Sequence, residues 1–135
     1  MNAAEVRETI GGTWTERPYG WKLCVPVAAI RDAALQMLRC EARFSALVAM
    51  PAEAGGLRLS WNWDVKGVLL SIETAVDWDS LVPSIADFCP GADWAERETR
   101  DYYAVSFDRR DTTAPLMLRT GDEPGMMLRP EGGRV

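Results

Sequence analysis

The sequence contains no histidine. That removes the commonest general base and the commonest nitrogen ligand for metals. Ser–His–Asp and Cys–His catalysis go with it. Cysteine is sparse: Cys24, Cys40 and Cys89 are odd in number, widely spaced, and form no CxxC pair. Neither a disulfide framework nor a zinc site is indicated, and the expectation is three buried, reduced, core-like thiols. Basic excess is also missing. The net charge is −5 and no basic stripe is present, which argues against nucleic acid as a partner. Long apolar runs are absent too. The uncharged stretch "LCVPVAAI" falls far short of a bilayer span. "MNAAEVRETIGG" carries acids and no apolar run, unlike a signal or transit peptide. The expectation is a cytoplasmic chain that meets a membrane only through partners. The glycine pairs at 11–12, 55–56 and 132–133 make no GxGxxG or Walker pattern, and Asp77, Asp79, Asp87 and Asp93 make no calcium loop. No cofactor or metal is therefore expected in this chain.

What is present suits one soluble domain. A chain of 135 residues predicts one core. Residues 1–19 read as a flexible N-terminal lead, with Gly11, Gly12 and Pro18. "WKLCVPV" (21–27) reads as a strand or an extended lead-in. Ile30, Ala33, Ala34, Met37 and Leu38 then fall at helical spacing. "RFSALVAM" (43–50) reads as a strand. In "LRLSWNWDV" (57–65) the apolar Leu57, Leu59, Trp61, Trp63 and Val65 alternate with polar residues, as in a strand with one buried face. The two tryptophans read as core. Lys66 and Gly67 predict a tight turn into a further strand, "VLLSIETAV" (68–76). "WDSLVPSIADF" (78–88) reads as a short helix with Pro83 near its start. Asp93 then reads as the N-cap of a second helix, with Glu96 completing a capping box. "AVSF" (104–107) reads as a last short strand. From Arg109 the chain is polar and punctuated by Pro and Gly, with the apolar anchors "PLML" and "GMML". The predicted fold is a two-layer α+β domain. It has an antiparallel or mixed sheet of about three to five strands, helices on one face, and an extended C-terminal tail. The predicted division is lead 1–19, domain 20–108 and docking tail 109–135.

The segment "DWAERETRDYYAVSF" (93–107) holds the densest charge, set between large aromatics. At about 100° per residue from Glu96, Trp94 falls near 160°, Val105 near 180° and Tyr102 near 240°. On the same count Glu98 falls at about 200°, inside this apolar arc, and Asp101 at about 140°, on its edge. Glu96–Arg100 and Arg97–Asp101 read as i,i+4 pairs worth about 0.2–0.5 kcal/mol each. Glu98 is predicted to point inward, where a carboxylate needs a cation or several donors. Arg109, Arg110, Arg119 or a partner protein are the candidates. A solvated helix, an interface and a catalytic site all remain open readings.

"PGADWAERETRDYYAVSF" resembles the signature of the 30 kDa subunit (the C subunit) of NADH:quinone oxidoreductase, respiratory complex I. That pattern is roughly P-x-A-x-W-x-E-R-E-x-x-D-x-[FY]-G-[IV]-x-F. The matching positions are Pro90, Ala92, Trp94, Glu96, Arg97, Glu98, Asp101, Tyr103, Val105 and Phe107. Upstream, "VPSIADFCPGADW" resembles the family's V-P-S-[VI]-x-x-[LF]-x-P-x-A-x-W, and the likeness covers about residues 20–120. Ala104 stands where the family has Gly, the family's G-H-P segment is missing, and "PLMLR" resembles its L-x-R-I-L region only loosely. This short form is more similar to the homologous subunit of membrane-bound, energy-converting [NiFe] hydrogenases.

The resemblance implies a non-catalytic accessory subunit of a complex I-like redox complex, without a cofactor of its own. It would pack against the large subunit, with Fe–S and Ni–Fe centres in partner chains, including a small Fe–S subunit. Trp94, Glu96, Arg97, Glu98 and Asp101 would form the interface or structural motif, with Tyr102, Tyr103 and Arg119 beside it. The location implied is peripheral on the cytoplasmic membrane. Two other readings stand beside the hydrogenase: the 30 kDa subunit of NADH:quinone oxidoreductase itself, and a stand-alone acid/base enzyme or binding module using Glu98, Asp101 and Tyr102.

Overall fold

In "LRLSWNWDV", period-two alternation places five apolar side chains on one side of a strand, and nothing polar interrupts them. In the computed structural model, which describes residues 1–110, 115–116, 118 and 122–128, this strand is β4 (Leu57–Val65). All five of those side chains are buried. Strand β5 (Val68–Val76) returns antiparallel in register, Trp61 opposite Ile72 and Trp63 opposite Leu70. The two-residue turn between them has φ of +51° at Lys66 and +88° at Gly67, the left-handed pair that such hairpins need. Strand β3 (Arg43–Pro51) pairs antiparallel on the other side of β4, with a bulge between Phe44 and Ala46.

The sheet is mixed and five-stranded, within the expected three to five strands. Strands β1 (Trp14–Arg17) and β2 (Gly20–Cys24) form a hairpin, and β2 lies parallel to β5. The order is β1-β2-β5-β4-β3. Gly20 is needed where β2 meets β5, because a Cβ there would sit 1.8 Å from the Leu69 carbonyl oxygen. The parallel pairing requires a crossover, and the helix predicted from the apolar stripe supplies it. This is α2 (Ile30–Arg39), which buries Ile30, Ala33, Ala34 and Met37. The other side of the sheet is polar, with Ser71 Oγ donating to Asn62 Oδ1 at 2.6 Å and Lys22 lying 3.8 Å from Glu73.

Three expectations need correction. Residues 1–19 are not a loose lead, since they form α1 (Ala3–Ile10) and β1. Asn2 Oδ1 accepts the Glu5 N–H and Glu5 accepts the Asn2 N–H, a complete capping box. Val6 is buried, and the Arg7 guanidinium stacks 3.7 Å over the Trp21 ring. Second, residues 78–88 are not a helix. Strand β6 (Leu81–Val82) pairs parallel with β7 (Ser106–Phe107). Pro83 has no N–H, and the Ser84 and Ile85 N–H groups donate to Asp108 and Glu96. Distant side chains therefore take the donors that a helix would use. Third, Cys40 and Cys89 are buried but Cys24 is exposed. Leu23 faces the core, so alternation turns Cys24 to the opposite side of β2. Among the described residues no helix is long and apolar enough to cross a membrane.

Candidate functional site

The charged segment folds as α3 (Ala92–Tyr103). Its N-cap is Gly91, with no side-chain cap; the first donors go to carbonyls instead, Ala92 N–H to Cys89 and Asp93 N–H to Pro90. The predicted capping box is absent because both of its carboxylates are engaged elsewhere. Asp93 meets Arg110 and lies 3.5 Å from Arg97.

Glu96 has 0% exposure and is the most completely enclosed charge of the helix together with Asp101. Its Oε1 accepts from Ser84 Oγ at 2.7 Å and from Arg110 Nη1 at 3.0 Å, and its Oε2 accepts the Ile85 N–H at 2.9 Å. The Arg110 guanidinium spans Glu96 and Asp93. Ser84 is held in turn, its N–H on Asp108 and its carbonyl accepting from Arg31 Nη1 at 2.8 Å. Arg31 also donates to Asp87 at 2.7 Å and stacks on Phe88. One buried carboxylate thus joins α3, the strap at residues 84–88 and the segment after β7. A carboxylate removed from water costs several kcal/mol unless paired and hydrogen-bonded, and here both oxygens are occupied.

The electrostatics follow from these contacts. Burial opposes the charge on Arg110, but its hydrogen bonds to Glu96 and Asp93 outweigh it and raise the pKa above the ordinary value. Burial, aided by the nearby Glu96 charge, pushes the Cys89 thiol up, so it stays protonated and unreactive. The hydrogen bond from Arg31 holds Asp87 below its ordinary value. Among the described residues no cluster of His, Cys, Asp and Glu fits a metal.

Asp101 forms a second tie. Its Oδ2 accepts the Leu116 N–H at 2.9 Å and its carbonyl accepts the Gly125 N–H at 2.8 Å. The "GMML" anchor lands on α3 through a 3-10 turn at Met126–Leu128. At the other end of the helix, Ala104 takes φ +57°, a left-handed position that favours glycine.

The helix is phased differently from the expectation. Glu98 is exposed rather than inward, and Trp94 is 67% exposed. Ala92, Glu96 and Thr99 face the interior in their place. The physical reason is that Ser84, Ile85 and Arg110 satisfy Glu96, so the interior takes that carboxylate. Glu96 pairs with Arg110 rather than Arg100, and Arg97 lies beside Asp93 and donates to the Pro115 carbonyl at 3.2 Å. Glu98, Tyr102 and Tyr103 line an open groove of about 570 Å³ with Leu47, Val48, Ala49, Thr99, Met126 and Met127. Asp101 does not line it, so the three proposed acid/base groups do not converge. Of the cations proposed for Glu98, Arg109 pairs with Asp108, Arg110 with Glu96 and Asp93, and Arg119 lies outside the described residues. Composition and periodicity missed Ser84, Asp108 and Arg31, whose roles depend on contacts across many residues. Ser84 was present only within the "VPS" resemblance.

Residues 13–130 match the family described as "Respiratory-chain NADH dehydrogenase, 30 Kd subunit". The C subunit of NADH-quinone oxidoreductase from Mesorhizobium japonicum is 38% identical over 58 residues, covering 43% of this chain and 29% of that protein. A C subunit of NADH-quinone oxidoreductase from Rhizobium etli is 48% identical over 42 residues, covering 31% of this chain and 21% of that protein. The matched stretch spans less than a third of the length of these curated relatives. A chain from the structure of the membrane-bound sulfane sulfur reductase (MBS), an archaeal respiratory membrane complex, aligns at TM-score 0.69 and 22% identity. That alignment covers 87% of this chain and 75% of that one, and it is a likeness of fold.

Proposed function

Because the chain belongs to the respiratory-chain NADH dehydrogenase 30 kDa subunit family, we propose that it is a non-catalytic scaffold subunit of a complex I-like redox complex. It packs against the large subunit of that complex. The observation that carries this reading is the division of labour along α3. Glu96 and Asp101 are spent on internal ties, while Trp94 and Glu98 of the same motif are displayed outward. Such a helix is rigidly held on one side and presents a surface on the other. The described part of the tail adds to that surface, since Met127 is exposed beside α3. Fe–S and Ni–Fe centres belong to partner chains, a small Fe–S subunit among them. The chain reaches the cytoplasmic face of a membrane through these partners.

The finer reading is an energy-converting, [NiFe]-hydrogenase-type complex. One observation supports it: the segment after the motif lacks the histidine of G-H-P. The curated relatives favour a second reading, the 30 kDa subunit of an NADH-quinone oxidoreductase.

Purification of the tagged chain from mildly detergent-extracted membranes of its host tests both. A co-purifying large subunit with stoichiometric nickel supports the hydrogenase type, and NADH-module subunits support the second reading. A lone chain, with no oxidoreductase subunit attached, sinks the scaffold proposal.

A further inference from the structure

The outer face of α3 carries an aromatic residue and a carboxylate beside an open groove. Trp94 and Glu98 are one turn apart and share that face. Trp94 is among the most exposed large apolar side chains of the described residues, and Val48 and Met127 are exposed at the groove's rim. The groove floor is apolar, from Leu47, Ala49, Tyr103 and Met126. Aromatic and methionine side chains at an open, partly apolar surface match the composition of protein-interface cores. Glu98 is the exception within this lining. Among the described residues it has no ion pair or hydrogen bond, and two cations of the same region are engaged elsewhere. Arg97 is held by Asp93 and the Pro115 carbonyl, and Arg110 by Glu96 and Asp93.

Resting on the subunit reading above, we infer that this groove is the docking surface. Its occupant is a segment of a partner protein that presents one arginine or lysine between large apolar side chains. Charge complementarity selects that occupant. A purely apolar segment would cover Glu98 and leave a carboxylate stripped of water without a partner, a strongly unfavourable arrangement. A cation set between apolar residues satisfies Glu98 and covers Trp94 and the methionines together. Arginine suits the place well, since its planar head can also stack on an indole.

The test uses the full chain, tagged in its host, with a photo-cross-linking amino acid at position 94 or, as a control, at position 19. Tyr19 is exposed in the β1–β2 turn, away from α3. After illumination the complex is purified and cross-linked peptides are sequenced. The expected product joins position 94 to one co-purified subunit, within a few residues of an arginine or lysine flanked by apolar residues. Cross-linking of position 94 to residues 129–135 of the same chain, or to a second copy, overturns the inference. So does an intact complex in which position 94 reaches nothing.

Two variants give an independent readout. Glu98→Lys should reduce recovery of the partner subunit by at least about tenfold, and Glu98→Gln by less, because reversal adds repulsion to lost attraction. Both isolated chains should melt like the wild type. Reversing the cross-linked cation in the partner should restore recovery with Glu98→Lys. If Glu98→Lys recovers the partner as well as wild type does, the surface is wrong while the subunit reading stands. If even the wild type brings down no oxidoreductase subunit, the subunit reading falls and this inference falls with it.

Discussion

Glu96 and Glu98 stand two residues apart on one helix and occupy opposite environments. Glu96 is sealed against the strap at residues 84–88, with three donors on its two oxygens. Glu98 faces outward among Tyr102, Tyr103 and Met127 and touches no cation among the described residues. A carboxylate's place is thus decided by donors supplied from elsewhere, not by the apolar residues next to it in sequence. Without Ser84, Ile85 and Arg110, burying Glu96 would be prohibitive.

Breaking the buried side should have the largest effect. Glu96→Ala leaves the mostly buried Arg110 facing Asp93 alone and frees the Ser84 and Ile85 donors. It should destabilise the isolated chain by about 3–5 kcal/mol in urea unfolding. Arg110→Ala should cost less, about 2 kcal/mol, because Ser84 and Ile85 still donate to Glu96. The double mutant should lose less than the sum of the two, by about 1 kcal/mol or more, since the groups share one network. Strict additivity would break the clasp description.

The helix end that sets the position of both glutamates supplies the next test. Ala104 has left-handed φ, so Ala104→Gly should stabilise the chain by about 1 kcal/mol, read as a higher urea midpoint at unchanged slope. The exposed partner of the network, Asp87, should show a smaller effect that depends on pH. Its hydrogen bond from Arg31 lowers its folded pKa below the ordinary 3.8. The pair's contribution is therefore present above that value and lost as pH falls through the folded pKa. Wild type should melt above Asp87→Asn at neutral pH and converge with it on acidification. A difference that persists at pH well below the ordinary value would assign the effect to packing. Smallest of all, Glu98→Gln should leave the monomer within about 0.5 kcal/mol of wild type. A larger loss would place Glu98 inside the fold's own network and erase its contrast with Glu96.

How much was legible differs by element. Strands β4 and β5 were readable to the residue because side chains alternate and a turn with left-handed residues separates them. Helix α2 was readable from its stripe. Helix α1 left a local signal, Asn2 three residues before Glu5, that the nearby glycines and short length obscured. The strap at residues 84–88 left none that periodicity could find, because its N–H groups bond to Glu96 and Asp108. The motif of α3 was recognised, yet its rotation was not, since Trp94 argued for one phase and Arg110 enforced another.

Histidine-free chemistry, the sheet's apolar face, the helical stripe and the family likeness all lie in the sequence alone, because they depend on residue identity and short spacing. Which glutamate is buried, which tryptophan is left outside and which arginine serves as the internal counter-ion were decided only by tertiary structure. The reason is electrostatic: a carboxylate can be buried only where donors converge on it, and here they arrive from residues 84, 85 and 110, brought together by the fold.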